Sequence, residues 1–321
     1  MPKFNVPRPV RNTKILYLGH TGAGKTGSLC SLSAAGYIVR ILDLDAGTEL
    51  IDDYMMNPKS IYLHAKPGLW TTEQAASAAE RISYVTITEG HRILGTRAVP
   101  KGDSWAKIQN QLNNWKDGSE VYGNIATWDS DVVLVIDGLS RLCESAMNFQ
   151  LSLNQRLVTG PQVGNSGAND YTQAYKLILE FLDLLKSTDI KCNIIMICHI
   201  AFLDAPENAA TGATRNSKDR EMKGFPQTVG RMISPKIGQY FNHSLMAKSI
   251  GRQHIITTNT DDGVDLKNVA PLRVRESYPL ATGLAEYFRD IRAVSYSGQA
   301  GEVERGGAEP EPSESETEAA E

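Results

Sequence analysis

Four apolar stretches give the chain its rhythm. The first covers Lys14 to Leu18 and stops at Gly19; the others are YIVRILDLD, DVVLVIDGL and KCNIIMICHI. Short aliphatic and β-branched runs with little polar alternation read as strands covered on both faces, the pattern of a parallel sheet. Helical spacing lies between them. A helix follows Gly24 and is expected to run to about Ala35, where Gly36 ends it. TTEQAASAAERISYV and SWAKIQNQLNNWKDG read as helices, and YTQAYKLILEFLDLLKST stacks Tyr175, Ile178, Leu179, Leu182 and Leu185 on one stripe. From the fourth strand to about Lys236 the chain is polar and Pro-containing and reads as loop. FNHSLMAKSIG and HIITTNT suggest a C-terminal β-hairpin, and GLAEYFRDI a last short helix. Strands alternating with helices predict an α/β domain, a mostly parallel central sheet flanked by helices on both faces.

Charge divides the chain into three parts. The net charge is -4, but Glu302 to Glu321 holds eight Glu against one Arg, so the other 301 residues carry +3. Four of the first fourteen residues are basic. The expected organisation is therefore a basic arm (1–13), one domain (14–296) and a disordered acidic tail (297–321) that either keeps the protein soluble or docks on a partner. The body carries no general basic field, so any nucleic-acid contact must be local. No apolar run is long enough to span a membrane, and the N-terminus lacks the apolar core of a signal peptide. Cys30, Cys143, Cys192 and Cys198 sit in apolar segments without CxxC spacing. They read as reduced packing residues of a cytoplasmic protein.

The candidate chemistry begins at GHTGAGKT, which fits the Walker A pattern G-x-x-x-x-G-K-[ST] between a strand and a helix. The phosphate-binding segment runs from Gly19 through His20, Thr21, Gly22, Ala23, Gly24, Lys25 and Thr26 to Gly27. Glycines let the backbone amides close around phosphate oxygens, Lys25 reaches the terminal phosphates, and the Thr26 hydroxyl can ligate Mg²⁺. The expected ligand is ATP with Mg²⁺. Asp137, ending VVLVID, can hold that metal through water. Hydrolysis also needs a group that orients the attacking water. Many P-loop ATPases put a Glu directly after the strand-end Asp, but here Gly138 follows. The end of ILDLDAGTEL offers Asp43, Asp45 and Glu49 instead. Strand alternation puts Asp43 and Asp45 on one face, with Asp45 further out and the better candidate. His199 ends the fourth apolar run. If that strand lies between the phosphate-loop strand and the Asp137 strand, His199 faces the γ-phosphate and can report nucleotide state to the following loop.

The order phosphate loop, LDLDAG, VLVIDGLSRL, MICHI resembles the RecA-like ATPases. More closely, residues 12–295 resemble phage-encoded AAA-type nucleotide-binding proteins with a RecA core, including ATPases of Sak type that work with single-strand annealing and recombination systems. That resemblance rests also on size and on FPQTVGRMISPKIGQYFNHSL. It implies a catalytic acid in an Ile-Asp-Ala-Glu context, where this chain has the one-methylene-shorter Asp45. It also implies a strand-end Gln, where this chain has His199. Two DNA-lining loops are implied at about 151–170 and 204–235, the second carrying Arg215, Lys218, Arg220 and Lys223 as candidate contacts to single-stranded DNA. A homo-oligomer is implied, with a neighbour's cation reaching the γ-phosphate; Arg231, Lys236, Arg273 and Arg275 are the candidates. The expected function is ATP hydrolysis on single-stranded DNA in phage recombination or repair. Two rivals stand beside it: a nucleotide-regulated binding module without turnover, and a packaging or helicase motor. The motor is disfavoured because the short arm and tail leave no room for a nuclease or N-terminal helicase domain.

Overall fold

The computed structural model describes residues 12–56, 72–161, 169–204, 222–229, 232–251, 253–260 and 263–292. The acidic tail and nearly all of the basic arm lie outside them, as do Arg215, Lys218, Arg220 and Arg231. In chain order the structure runs β1 (Lys14–Gly19), α1 (Lys25–Ser28), α2 (Cys30–Ala34), β2 (Ile38–Asp43), α3 (Glu49–Met56), α4 (Thr72–Ala79) and β3 (Ile82–Thr86). The hairpin β4 (His91–Leu94) and β5 (Arg97–Pro100) follows, then α5 (Ser104–Asn113), the short pair β6 (Trp115–Asp117) and β7 (Glu120–Gly123), and β8 (Val132–Asp137). Next come α6 (Leu139–Leu153), α7 (Asp170–Lys186), β9 (Asn193–Cys198), and the hairpin β10 (Ile200–Asp204) and β11 (Met222–Pro226). The chain closes with β12 (His243–Ile250), β13 (Gln253–Thr257), β14 (Ser277–Pro279) and α8 (Leu280–Arg292).

Eight strands form the central sheet in the order β14-β13-β12-β1-β9-β8-β2-β3. From β12 to β3 every pairing is parallel, and only β13 runs against its neighbours. The expected C-terminal hairpin is β12–β13, and its first strand is also a central strand, paired with β1.

Alternation within the strands explains their uninterrupted apolar character. Leu16, Leu18, Leu134, Ile136, Ile194 and Met196 face one layer with Trp105, Leu142, Phe181 and Leu182. Ile15, Tyr17, Val133, Val135, Ile195 and Ile197 face the other with Leu29, Leu32, Leu284, Tyr287 and Phe288. Both faces are dry, so neither parity is free to be polar. Each fully buried aliphatic or aromatic side chain contributes about 1.5–3 kcal/mol. Truncating Phe288, which has no exposed surface, is expected to cost about 3–5 kcal/mol.

Several elements depart from the periodicity. The helix read across TTEQAASAAERISYV ends at Ala79, and Ile82–Thr86 pairs with β2 instead, because β-branched and aromatic residues fit that sheet edge. SWAKIQNQLNNWKDG likewise stops at Asn113, and Trp115, fully buried, starts a strand. The stretch read as loop after β9 contains the β10–β11 hairpin, and α6 extends to Leu153. The stripe on α7 is rotated: Ala174, Ile178, Phe181, Leu182 and Leu185 are buried, with Tyr175 and Leu179 partly so. All four cysteines are free and buried. Among the described residues no helix is long and apolar enough to cross a membrane.

Candidate functional site

The sheet order meets the condition set for His199: β9 lies between β1 and β8. The carboxyl ends of three neighbouring strands therefore bring the phosphate loop, His199 and Asp137 to one edge. β2, on the far side of β8, adds the Asp45 turn.

The loop is held by its own backbone and by Lys25. The Ala23 amide donates to the His20 carbonyl at 3.2 Å. Lys25 Nζ donates to the carbonyls of Gly19 at 2.8 Å and His20 at 3.0 Å. Gly24 caps α1 with left-handed backbone, φ 85°, which an L side chain adopts only at a cost. Burial lowers the Lys25 pKa, while Cys198, Asp137 and Asp45 act in the opposite direction. Thr26 Oγ1 donates to Asp137 Oδ2 at 2.7 Å, so the hydroxyl and the carboxylate already touch. Asp137 is 4% exposed and its pKa is pushed up to about 6. Burial is the main cause, helped by Asp45 and Asp43 and opposed by the Thr26 bond and Lys25.

This donor set suits Mg²⁺. A hydroxyl and a carboxylate are hard oxygen ligands, and a buried carboxylate with a raised pKa is one that an added cation would stabilise. Among the described residues no cluster of three or more His, Cys, Asp or Glu could hold a metal unaided. The remaining ligands would be water and phosphate oxygens, as Mg²⁺ commonly has.

The two acids near the end of β2 part ways. Asp43 is 1% exposed and accepts from Thr48 Oγ1 at 2.6 Å, Thr86 Oγ1 at 3.2 Å, and the amides of Gly47 and Thr48, both at 3.3 Å. It holds the turn together. The strand ends at Asp43, so the alternation argument does not reach Asp45, which sits in the bend beyond it. There its carboxylate lies against Gly138. A Cβ at 138 would stand 2.9 Å from Asp45 Cγ, and the backbone φ of 117° also favours glycine. The place that a side chain after Asp137 would occupy is filled by Asp45.

Asp45 is flanked by Arg141 Nε at 3.5 Å and His199 Nε2 at 3.8 Å. Burial raises its pKa, and His199 and Arg141 restrain the rise. The His199 pKa is lowered by burial and then by Lys25, so the ring is neutral at pH 7. Arg141 was not singled out in the sequence, although SRL one turn past the strand-end Asp-Gly carries it. It is a first-turn residue of α6 and also pairs with Glu144 at 2.7 Å.

The other sequence candidates are placed elsewhere. Lys236 is exposed in a 3₁₀ turn, Ser234–Tyr240. Arg273 is exposed in the turn before β14. Arg275 is bound within its own chain, to Glu286 and, at 3.4 Å, to Asp290, with its guanidinium 4.3 Å from the Tyr278 ring centre. Lys223 lies on β11 opposite Leu203.

Comparison with protein-family models gives no match, and comparison with curated proteins gives none either. Among solved structures, one similar chain is a prototypical ATPase from the type III secretion system of pathogenic bacteria. It has a TM-score of 0.34 and 12% identity over 74% of this chain and 52% of that one. This chain thus spans about half the length of that ATPase.

Proposed function

We propose that the chain binds ATP with Mg²⁺ and hydrolyses it as a RecA-like P-loop ATPase. The observation that carries the reading is the 2.7 Å contact between Thr26 and the buried Asp137 beside Lys25, at one end of a parallel sheet. A Walker A loop alone is a motif; its junction with a strand-end carboxylate two strands away supports reading it as a site. Lys25 and the amides of residues 21–26 would hold the phosphates, and Thr26 and Asp137 the metal. Mg²⁺ supplies charge neutralisation on the phosphate oxygens. Asp45, aimed across Gly138 and flanked by Arg141 and His199, is suited to orient the attacking water and accept its hydrogen bond. His199 is suited to sense the γ-phosphate.

The finer reading includes a homo-oligomer acting on single-stranded DNA in recombination, in the manner of the phage-encoded proteins that the sequence resembles. A trans cation from Lys236, Arg231 or Arg273 belongs to it. Arg275 fits that role less well, because its charge is already matched by Glu286 and Asp290. Phosphate release from ATP with Mg²⁺, measured with and without single-stranded DNA, tests the proposal. Turnover that disappears in Lys25→Ala is expected. Tight binding of ATP with no turnover would favour the nucleotide-regulated binding module, and absence of both binding and turnover overturns the assignment.

A further inference from the structure

Of the β4–β5 hairpin only His91 lines the pocket beside Asp45 and Arg141, and the charge on the rest of the hairpin is arranged. Every residue from His91 to Ala98 is exposed. Register pairs Arg92 with Val99 and Leu94 with Arg97. Directly opposed residues share a face and the side-chain period is two. Arg92 and Arg97 therefore lie on one face, and Lys101 joins them, since its amide donates to the Gly90 carbonyl at 2.7 Å and prolongs the ladder. No Asp or Glu occurs from Gly90 to Gly102.

The nearest carboxylates are engaged elsewhere. Glu89 accepts from the Gly102 amide at 2.7 Å, the Asp103 amide at 3.2 Å and Ser104 Oγ at 2.5 Å. Asp103 pairs with Lys107 at 2.8 Å and accepts from the Gly90 amide at 3.4 Å; Lys101 acts on it through space.

The base of that face forms one wall of a cleft of about 410 Å³, and Arg97 lies beyond its lining towards the hairpin tip. Arg92 and Lys101 line it on one side, and Ser152, Gln155, Leu157 and Val158, from the end of α6 and the segment after it, on the other. Among the described residues no carboxylate lines the cleft. Both walls are fixed in advance. Gly102 lies so close to α6 that a Cβ there would be 2.6 Å from Ser152 Cβ and 2.7 Å from the Asn148 carbonyl. Arg156 pairs at 3.0 Å with Asp170, which is fully buried and also accepts from Asn154 at 2.7 Å.

We propose that this cleft binds the phosphodiester backbone of a single-stranded nucleic acid, with Arg92, Arg97 and Lys101 on phosphates and Leu157 and Val158 against sugars or base edges. The cations are spread from the base of the hairpin towards its tip, which suits a chain of phosphates better than one phosphate, and two of the three are the fork-shaped Arg. The proposal deepens the single-stranded DNA part of the proposed function and rests on it, but assigns the contact to the hairpin rather than to residues 215–223.

The test is fluorescence anisotropy of the full chain with a labelled oligothymidylate across a salt series. Arg92→Glu/Arg97→Glu/Lys101→Glu is expected to weaken binding at least about tenfold and to reduce the log–log salt slope by about 2, as loss of three phosphate contacts on a single strand requires. All three side chains are exposed, so the thermal melt should be unchanged; if the triple variant fails to fold, Arg97→Glu alone should lower the slope by about 0.7. Lys25→Ala, assayed without nucleotide, should bind the strand as the wild type does, so failure of the ATPase reading and failure of the cleft are read separately. Unchanged affinity and slope in the charge-reversed variants overturns the proposal. So does binding of a synthetic 302–321 peptide, but not the oligonucleotide, in a manner abolished by the same substitutions: the occupant would then be the acidic tail.

Discussion

The ends of β2 and β8 lie side by side, with Asp43 in register with Asp137, and both carboxylates are buried. Their surroundings are opposite. Asp43 accepts four hydrogen bonds from Gly47, Thr48 and Thr86, so its charge is met by the fold itself. Asp137 accepts one, from Thr26, and its pKa is pushed up to about 6. Burying a carboxylate without enough donors is costly, and such a group persists where a ligand completes it. On the proposed reading, the contrast separates a structural acid from a functional one where sequence position alone gives two strand-end aspartates.

The largest expected effect breaks the functional side of this pair. Lys25→Ala should lower ATP turnover by about 10² or more, because a charge aimed at the developing phosphate charge is lost in a water-poor site. Steady-state phosphate release measures it. Asp137→Ala should do the same and abolish any Mg²⁺ dependence of nucleotide binding, followed by titration with a fluorescent ATP analogue. Turnover in either variant within threefold of wild type would contradict the assignment. Asp45→Asn comes next, with an expected fall of about 10–10² in kcat and little change in nucleotide affinity, since general-base or water-orienting groups contribute about that much.

Stability should separate the two acids in sign. Asp43→Ala leaves the Thr48 and Thr86 hydroxyls and two amides short of an acceptor, and should destabilise by about 2–3 kcal/mol. Asp137→Asn should stabilise the nucleotide-free protein. Its carboxyl, with a folded pKa near 6 against 3.8 unfolded, holds its proton more tightly when folded. The contribution of this carboxyl to stability therefore falls as pH rises from about 4 to 6, then levels off. A shift of this size corresponds to about 3 kcal/mol at most, so Asp137→Asn should gain on that order at pH 8 and nothing below pH 4. Thermal melts at the two pH values decide it, and a destabilised Asp137→Asn at pH 8 would show that the carboxylate is already satisfied.

The sequence carried the strand–loop–helix around Gly19–Lys25, the strand end at Asp137 and the buried strands because each is a local pattern: glycines at fixed spacing, or a two-face apolar run. It also carried a conditional statement about His199, and strand order supplied the condition. What it could not carry was the filling of the space beside Gly138. Read alone, Gly138 is a missing side chain; in the fold it is the clearance for Asp45, contributed by the bend after β2, more than 90 positions earlier in the chain. The β4–β5 hairpin was missed for a different reason. From His91 to Pro100 only Val99 is buried, so HRILGTRAVP has no buried parity to generate a strand pattern. ISYV was drawn into a helix because local composition outweighed the open edge of β2, which takes up that segment.

The smallest effect expected sharpens how Asp45 differs from both other acids. Asp45 is partly exposed, its carboxylate held between Arg141 and His199, and burial raises its pKa while these two restrain the rise. If it works as a carboxylate, activity is lost as pH falls through its pKa. Arg141→Ala removes one restraining charge, so that pKa rises further and the acid limb of the kcat profile moves to higher pH. The loss should be modest, because the pair is partly solvent-screened, and should grow as the pH is lowered. Arg141→Lys, which keeps the charge, should recover most of the limb position, whereas a purely structural role for Arg141 would lower kcat equally at every pH. A uniform drop would leave Arg141 as a helix-surface residue and put the burden of positioning Asp45 on the turn that Asp43 holds.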